Sequence, residues 1–254
     1  MLDPKSLSQK KIKKQIAWFL YQKIILFYSN LIIVNSELEK INLLKKIARK
    51  NNIEIIPHGI EIPKKFFPKK NINKKLKFVF FSKIHASKNL LALVKLWEKS
   101  IFLKKFDLNI FGEINDKIYF SKVNAYIKRN KNINYLGLLN KNIQFKLSNF
   151  DVLIHPSESE NFGLVIYEAL SSGLFLILNR KLNKTDLKKN LFSIDINLNL
   201  KNLDTSVKEI VKKKNFLKSL KFKKKCFDYI KNNHNWEYLT DKYVQKYSRL
   251  VKNN

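Results

Sequence analysis

Short apolar runs alternate along this chain with longer segments whose apolar residues recur every three or four positions. That is the pattern of strands buried in a parallel sheet between covering helices. Strands are predicted at 31–34, 53–56, 77–82, 107–111, 133–136, 152–154, 174–178 and 192–194. Helices are predicted at 6–27, 36–50, 90–100, 115–130, 140–148, 164–170, 203–213 and 215–230, with a closing helix after Asn235-Trp236-Glu237. Ser36-Glu37-Leu38-Glu39 has the spacing of a capping box at a helix start. The segment 60–75 carries Pro63, Pro68 and many lysines without periodicity, and reads as a linker. The expected fold class is α/β, a Rossmann-like parallel sheet with helices on both faces, preceded by a partial α/β segment.

Composition changes this picture in two ways. Apolar residues make up 45% and aromatics 13% of the 254 residues, so the chain can bury a full core despite its charge. Lys and Arg together number 51 against 20 Asp and Glu, a net charge of +31 that by itself suggests an anionic partner. Arginine, however, occurs only at 49, 129, 180 and 249, while Lys, Asn and Ile abound. Nucleic-acid binders rely on arginine's planar fork, so nucleic acid is the disfavoured partner and an anionic membrane surface a secondary one. The single cysteine, Cys226, rules out an internal disulfide and a multi-cysteine metal site. Gln22, Lys23, Ser29 and Asn30 interrupt the apolar stretch 16–34, and the start of the chain lacks the basic-then-apolar order of a signal peptide. A cytoplasmic protein is expected, with a peripheral place at the inner face of a membrane as the variant reading.

The candidate chemistry lies in two loops. In the stretch 151–178, DVLIHPSESENFGLVIYEALSSGLFLIL, a strand stopped by Pro156 leads through Ser157, Glu158, Ser159 and Glu160 to Gly163 and a helix. Open α/β sheets bind ligands at this carboxyl end of their strands. The second loop, Lys83-Ile84-His85-Ala86-Ser87-Lys88-Asn89, follows the strand 77–82 and presents two lysines beside a helix amino terminus, a natural cradle for a diphosphate. His85 reads as a loop-packing histidine.

Glu160-Asn161-Phe162-Gly163-Leu164-Val165-Ile166-Tyr167-Glu168, followed by Ser172-Gly173, resembles the E-x7-E signature of the retaining, two-Rossmann (GT-B) glycosyltransferases of family 4. Ser82-Lys83 with Lys88-Asn89 resembles the family's G-R-x-x-x-x-K-G loop, with Lys83 standing where arginine is usual and Ser82 and Asn89 replacing glycines. The region before Gly59 is similar to the end of the acceptor-side domain, with His58 in place of the usual Asn, and Trp236 with Tyr243 and Tyr247 to the closing helix that packs back on that domain.

The resemblance implies a division into 1–59, a remnant of the acceptor-side domain; 60–75, the linker; 76–234, the nucleotide-sugar domain; and 235–254, the returning helix. It implies transfer of a hexose with retention from a UDP- or GDP-sugar to a glycan or lipid-linked acceptor. Glu160, Lys83 and Lys88 are the implied catalytic residues. Lys83, Lys88, Gly137, Leu138, Glu160, Asn161, Phe162, Gly163, Leu164 and Glu168 are the implied donor site, with Glu168 on the ribose hydroxyls and the backbone near Gly137 on the base. No Asp-x-Asp pair stands at a strand end, so neither a metal nor another cofactor is expected. Fewer than 60 residues precede Gly59, where a complete Rossmann domain takes about 150. The alternatives are therefore a truncated, inactive or split donor half that needs a separate amino-terminal lobe, and a basic nucleic-acid or membrane adaptor on the same scaffold.

Overall fold

A computed structural model describes residues 11–47, 52–62, 75–139, 142–182 and 184–252. Most of the expected linker, and the ends of the helices expected at 6–27, 36–50 and 140–148, lie outside the described residues. The chain divides into two compact units, 62–232 and 1–61 together with 233–254.

The larger unit is built on a six-stranded parallel sheet of β3 (Phe78–Phe81), β4 (Leu108–Phe111), β5 (Ile133–Tyr135), β6 (Val152–His155), β7 (Phe175–Asn179) and β8 (Ser193–Ile196). The helices between successive strands are α4 (Leu90–Lys99), α5 (Lys117–Arg129), α6 (Ile143–Leu147), α7 (Leu164–Ser171) and α8 (Thr185–Lys189). All but α8 are expected α/β elements, with ends shifted by up to a few residues, whereas no helix was expected at Thr185–Lys189. β3, β6 and β7 are buried at every position, which is why their sequences read as unbroken apolar runs. Beneath the sheet Trp97 is fully buried against Phe78, with its indole nitrogen donating to the Phe106 carbonyl at 3.1 Å.

The strand order is β5-β4-β3-β6-β7-β8. From β3 the chain steps outward to β4 and β5, then returns to lay β6 on the other side of β3. The carboxyl ends of β3 and β6 therefore flank the point where the winding reverses, the place in such sheets where a crevice opens. After β8 come α9 (Leu203–Lys212), α10 (Lys214–Leu217) and α11 (Leu220–His234). The single helix expected at 215–230 is thus two, broken where Ser219 bonds back to the Phe216 carbonyl and caps the Phe222 amide.

In the smaller unit α1 (Lys11–Ala17), a π-helical turn (Trp18–Gln22) and α2 (Lys23–Tyr28) precede β1 (Ile32–Val34), α3 (Glu37–Leu44) and β2 (Ile53–Ile55). β1 and β2 form a two-stranded parallel sheet. Ile32, Val34, Leu43 and Ile53 make its core, with Leu26 packed against them. Ser36 caps α3 by accepting from the Glu39 amide, while the Glu39 carboxylate takes the Asn35 amide at 2.8 Å, one residue earlier than the capping box assigns it. The last helix, α12 (Trp236–Lys252), belongs to this unit: the Trp236 ring lies against Gly59, and Lys246 pairs with Glu54.

Candidate active site

The loop after β3 turns through a 3-10 segment (Ala86–Lys88) into α4. His85 starts it, its Nδ1 accepting from the Ser87 amide at 3.2 Å, so His85 packs the loop. Asn89 then takes the left-handed conformation, φ +57°, at the position where the resembling motif carries glycine. The loop after β6 runs from Pro156 to Gly163, which at φ +79° opens α7. The two loops are laced together. The Glu158 amide and the Ser157 hydroxyl both donate to the Ser87 carbonyl, at 2.9 and 3.3 Å. From the end of β7, the buried Asn179 donates to the Ser157 carbonyl at 2.9 Å.

This lacing brings Lys88 to Glu160. The Lys88 ammonium lies 2.5 Å from Glu160 Oε1, and both side chains are 17% exposed. The same oxygen is 2.7 Å from Nε2 of His155, the last residue of β6, which is wholly buried. Burial pushes the Glu160 carboxyl up, but His155 and Lys88 outweigh it and hold the carboxyl well below its usual range, at about 2. The carboxylate is thus ionised at any physiological pH, with its Oε1 held and its Oε2 taken by no hydrogen bond among the described residues.

The other expected residues have different settings. Lys83 is exposed, on the loop leaving β3. Glu168 is half-buried in α7, and burial raises its carboxyl above the ordinary value. Among the described residues neither makes a side-chain bond to Lys88 or Glu160. Asn161 and Leu164 are exposed, as is Leu138 beside Gly137, where φ is +82°. Phe162 is buried, its ring stacked on Tyr167 at 4.8 Å. Gly112, at the end of β4, has its amide on the Gly137 carbonyl, and a Cβ there would come within 1.8 Å of the Ser82 carbonyl oxygen.

Three residues of this edge escaped the sequence reading. His155 and Asn179 each end an apolar strand with a buried polar side chain aimed at the loop after β6. Lys184, between β7 and α8, donates to the Tyr167 hydroxyl with its ammonium 4.5 Å from the Phe162 ring centre. Burial lowers its pKa. A polar residue closing an otherwise apolar strand was the available signal for the first two; Lys184 had none among so many lysines. Among the described residues no group of three or more His, Cys, Asp or Glu is placed to hold a metal ion.

Comparison with known proteins sets this geometry in a family. No curated protein matches the sequence. Among solved structures, sucrose-phosphate synthase from Thermosynechococcus elongatus superposes with a TM-score of 0.70 at 18% identity, over 92% of this chain and 61% of that one. Anabaena HepE in complex with UDP-glucose gives 0.71 at 16% identity, over 98% and 70%. A mutant of S. aureus TarM, in complex with Fondaparinux, alpha-GlcNAc-glycerol and UDP, gives 0.67 at 21% identity, over 85% and 43%. At these identities the likeness is one of fold, and the chain spans 43 to 70% of the length of these three proteins. The family described as Glycosyl transferases group 1 matches residues 62–225, which include the whole six-stranded sheet and both laced loops. The chain belongs to the Glycosyl transferases group 1 family.

Proposed function

We propose that the unit 62–232 is the donor-binding half of a retaining GT-B glycosyltransferase of family 4, which takes a hexose from a nucleotide sugar and delivers it to a hydroxyl of a glycan or lipid-linked acceptor. The observation that carries this reading is the Lys88–Glu160 pair, built by two loops at the point where the sheet reverses. A cation for phosphate and an acceptor oxygen for sugar hydroxyls stand within one hydrogen bond of each other, the juxtaposition a sugar diphosphate requires.

In this mechanism the bond between the anomeric carbon and the diphosphate lengthens, and negative charge gathers on the phosphate oxygens while the sugar ring becomes positive. Lys88 and the exposed Lys83 stabilise the first. Glu160, kept ionised, accepts from the sugar and favours the second. Glu168 holds the ribose hydroxyls, and the backbone about Gly137 meets the base. Lysine ammonium groups carry the charge that a divalent ion would otherwise neutralise, so no metal is needed. The UDP complexes of HepE and TarM make a UDP-sugar the first donor to try. Residues 235–254, with the segment before Gly59, belong to the acceptor side.

Two NMR measurements test the reading. Saturation transfer from the protein to UDP-glucose, UDP-GlcNAc or GDP-mannose is expected for at least one of them. Slow hydrolysis of that α-linked donor should release the α anomer first. Release of the β anomer would contradict retention. No transfer to any of the three, with salt-dependent oligonucleotide binding instead, would favour the adaptor.

A further inference from the structure

His155 closes a strand whose other residues, Val152, Leu153 and Ile154, are apolar and fully buried, and it is itself 0% exposed. A histidine in such a place carries a desolvation cost that an apolar side chain would not. Packing alone does not account for it, because its two nitrogens are treated so differently. Nε2 lies 2.7 Å from Glu160 Oε1, while Nδ1 is buried with no hydrogen-bond partner. Glu160 is ionised, so the bond requires the proton on Nε2, and Nδ1 is the nitrogen left without a mate. The ring gives up one hydrogen bond to make the other.

The contact also decides which carboxylate oxygen remains open. Lys88 and His155 both reach Oε1, and no described residue donates to Oε2. Asn179 does the matching job on the neighbouring strand, ending β7 and tying the Ser157 carbonyl of the same loop. The buried ends of two adjacent strands thus fix the loop that carries Glu160, one by its backbone and one by the carboxylate itself.

We propose that His155 is a positioning residue: by clamping Oε1 of Glu160 from beneath, it fixes the carboxylate so that Oε2 takes a hydroxyl of the donor sugar. The inference rests on the donor-site reading given above. It separates the sugar from the nucleotide, because His155 acts on Glu160 alone, whereas the diphosphate and base are held by other groups. His155 touches no substrate and acts only through Glu160.

The test is calorimetric titration of the full chain with UDP-glucose against UDP and with GDP-mannose against GDP, for the wild type, His155→Phe and His155→Gln. Phenylalanine fills the space without a donor; glutamine's amide nitrogen reaches to about where Nε2 stands. In His155→Phe the affinity for the sugar nucleotide relative to the bare nucleotide should fall about tenfold, while the bare nucleotide stays within about twofold. His155→Gln should recover most of the loss, which a merely structural role would not give. An unchanged ratio in His155→Phe, or an equal loss for sugar nucleotide and nucleotide, overturns the proposal and leaves the donor reading standing. Absence of binding by the wild type to all four ligands defeats the donor reading, and the proposal with it. Should His155→Phe fail to fold, long-range proton–nitrogen NMR of the wild type decides: a proton on Nε2 is expected, and an Nε2 without one overturns the proposal.

Discussion

Glu160 is held by two donors on one oxygen, and that has a consequence for acid stability. Its carboxyl is brought from the ordinary 4.5 to about 2 in the folded chain. A folded-state value below the unfolded one means that the unfolded chain binds the proton more readily. The contribution is complete above pH 4.5 and is lost as the pH falls towards about 2. Glu160→Gln should therefore flatten the fall of stability between those values and leave its slope above about pH 6 unchanged, as read from urea denaturation across the range. Asn89 offers a second test at this scale. At φ +57° a β-branched side chain is strained, so Asn89→Val should cost about 1–3 kcal/mol, and Asn89→Gly should stay within about 1 kcal/mol of wild type. The same denaturation series measures both. Asn89 was legible in the sequence as a departure from a glycine, but its reason, the left-handed turn that asparagine tolerates, came only with the backbone.

At the level of elements, the loop after β6 depends on the strand ends below it. Asn179 is 2% exposed, donates to the Ser157 carbonyl and accepts from the Lys181 amide at 3.1 Å. Asn179→Ala leaves a buried carbonyl without its donor, at a cost of about 1–3 kcal/mol, and frees the loop that carries Glu160. Both a lower urea midpoint and weaker sugar-nucleotide binding are expected; a full loss of stability with unaltered affinity would show that the loop is held by other means. The strands themselves were readable because β3, β6 and β7 are apolar without interruption. The break between α10 and α11 was not, since Ser219 can stand inside a helix or cap one, and only the bonds to Phe216 and Phe222 decide which. Likewise the periodicity of the first helices is genuine, but it gives no hint of the π-helical turn at Trp18–Gln22.

Across the whole molecule the two units differ in kind. The larger has a six-stranded sheet with a continuous core, and it contains every residue of the candidate site and the whole of the family match. The smaller has two strands and a helical segment in which Ile12, Phe19, Leu20 and Ile24 are more than half exposed. No helix among the described residues is long and apolar enough to cross a membrane. The sequence foretold the family and the parallel sheet, because motif spacing and strand pattern act locally. It could not foretell which of the charged groups would meet, because Lys88 and Glu160 stand 72 positions apart and are brought together by the pairing of β3 with β6 and the bonds between the two loops. The Lys88–Glu160 pair is the centre of the account. Calorimetric titration of a sugar nucleotide into the wild type, Lys88→Ala and Glu160→Ala tests it most directly. The account predicts binding by the wild type and a loss of about tenfold or more in each variant, since each removes a charge-assisted contact to the donor. Equal affinity in all three proteins would contradict it.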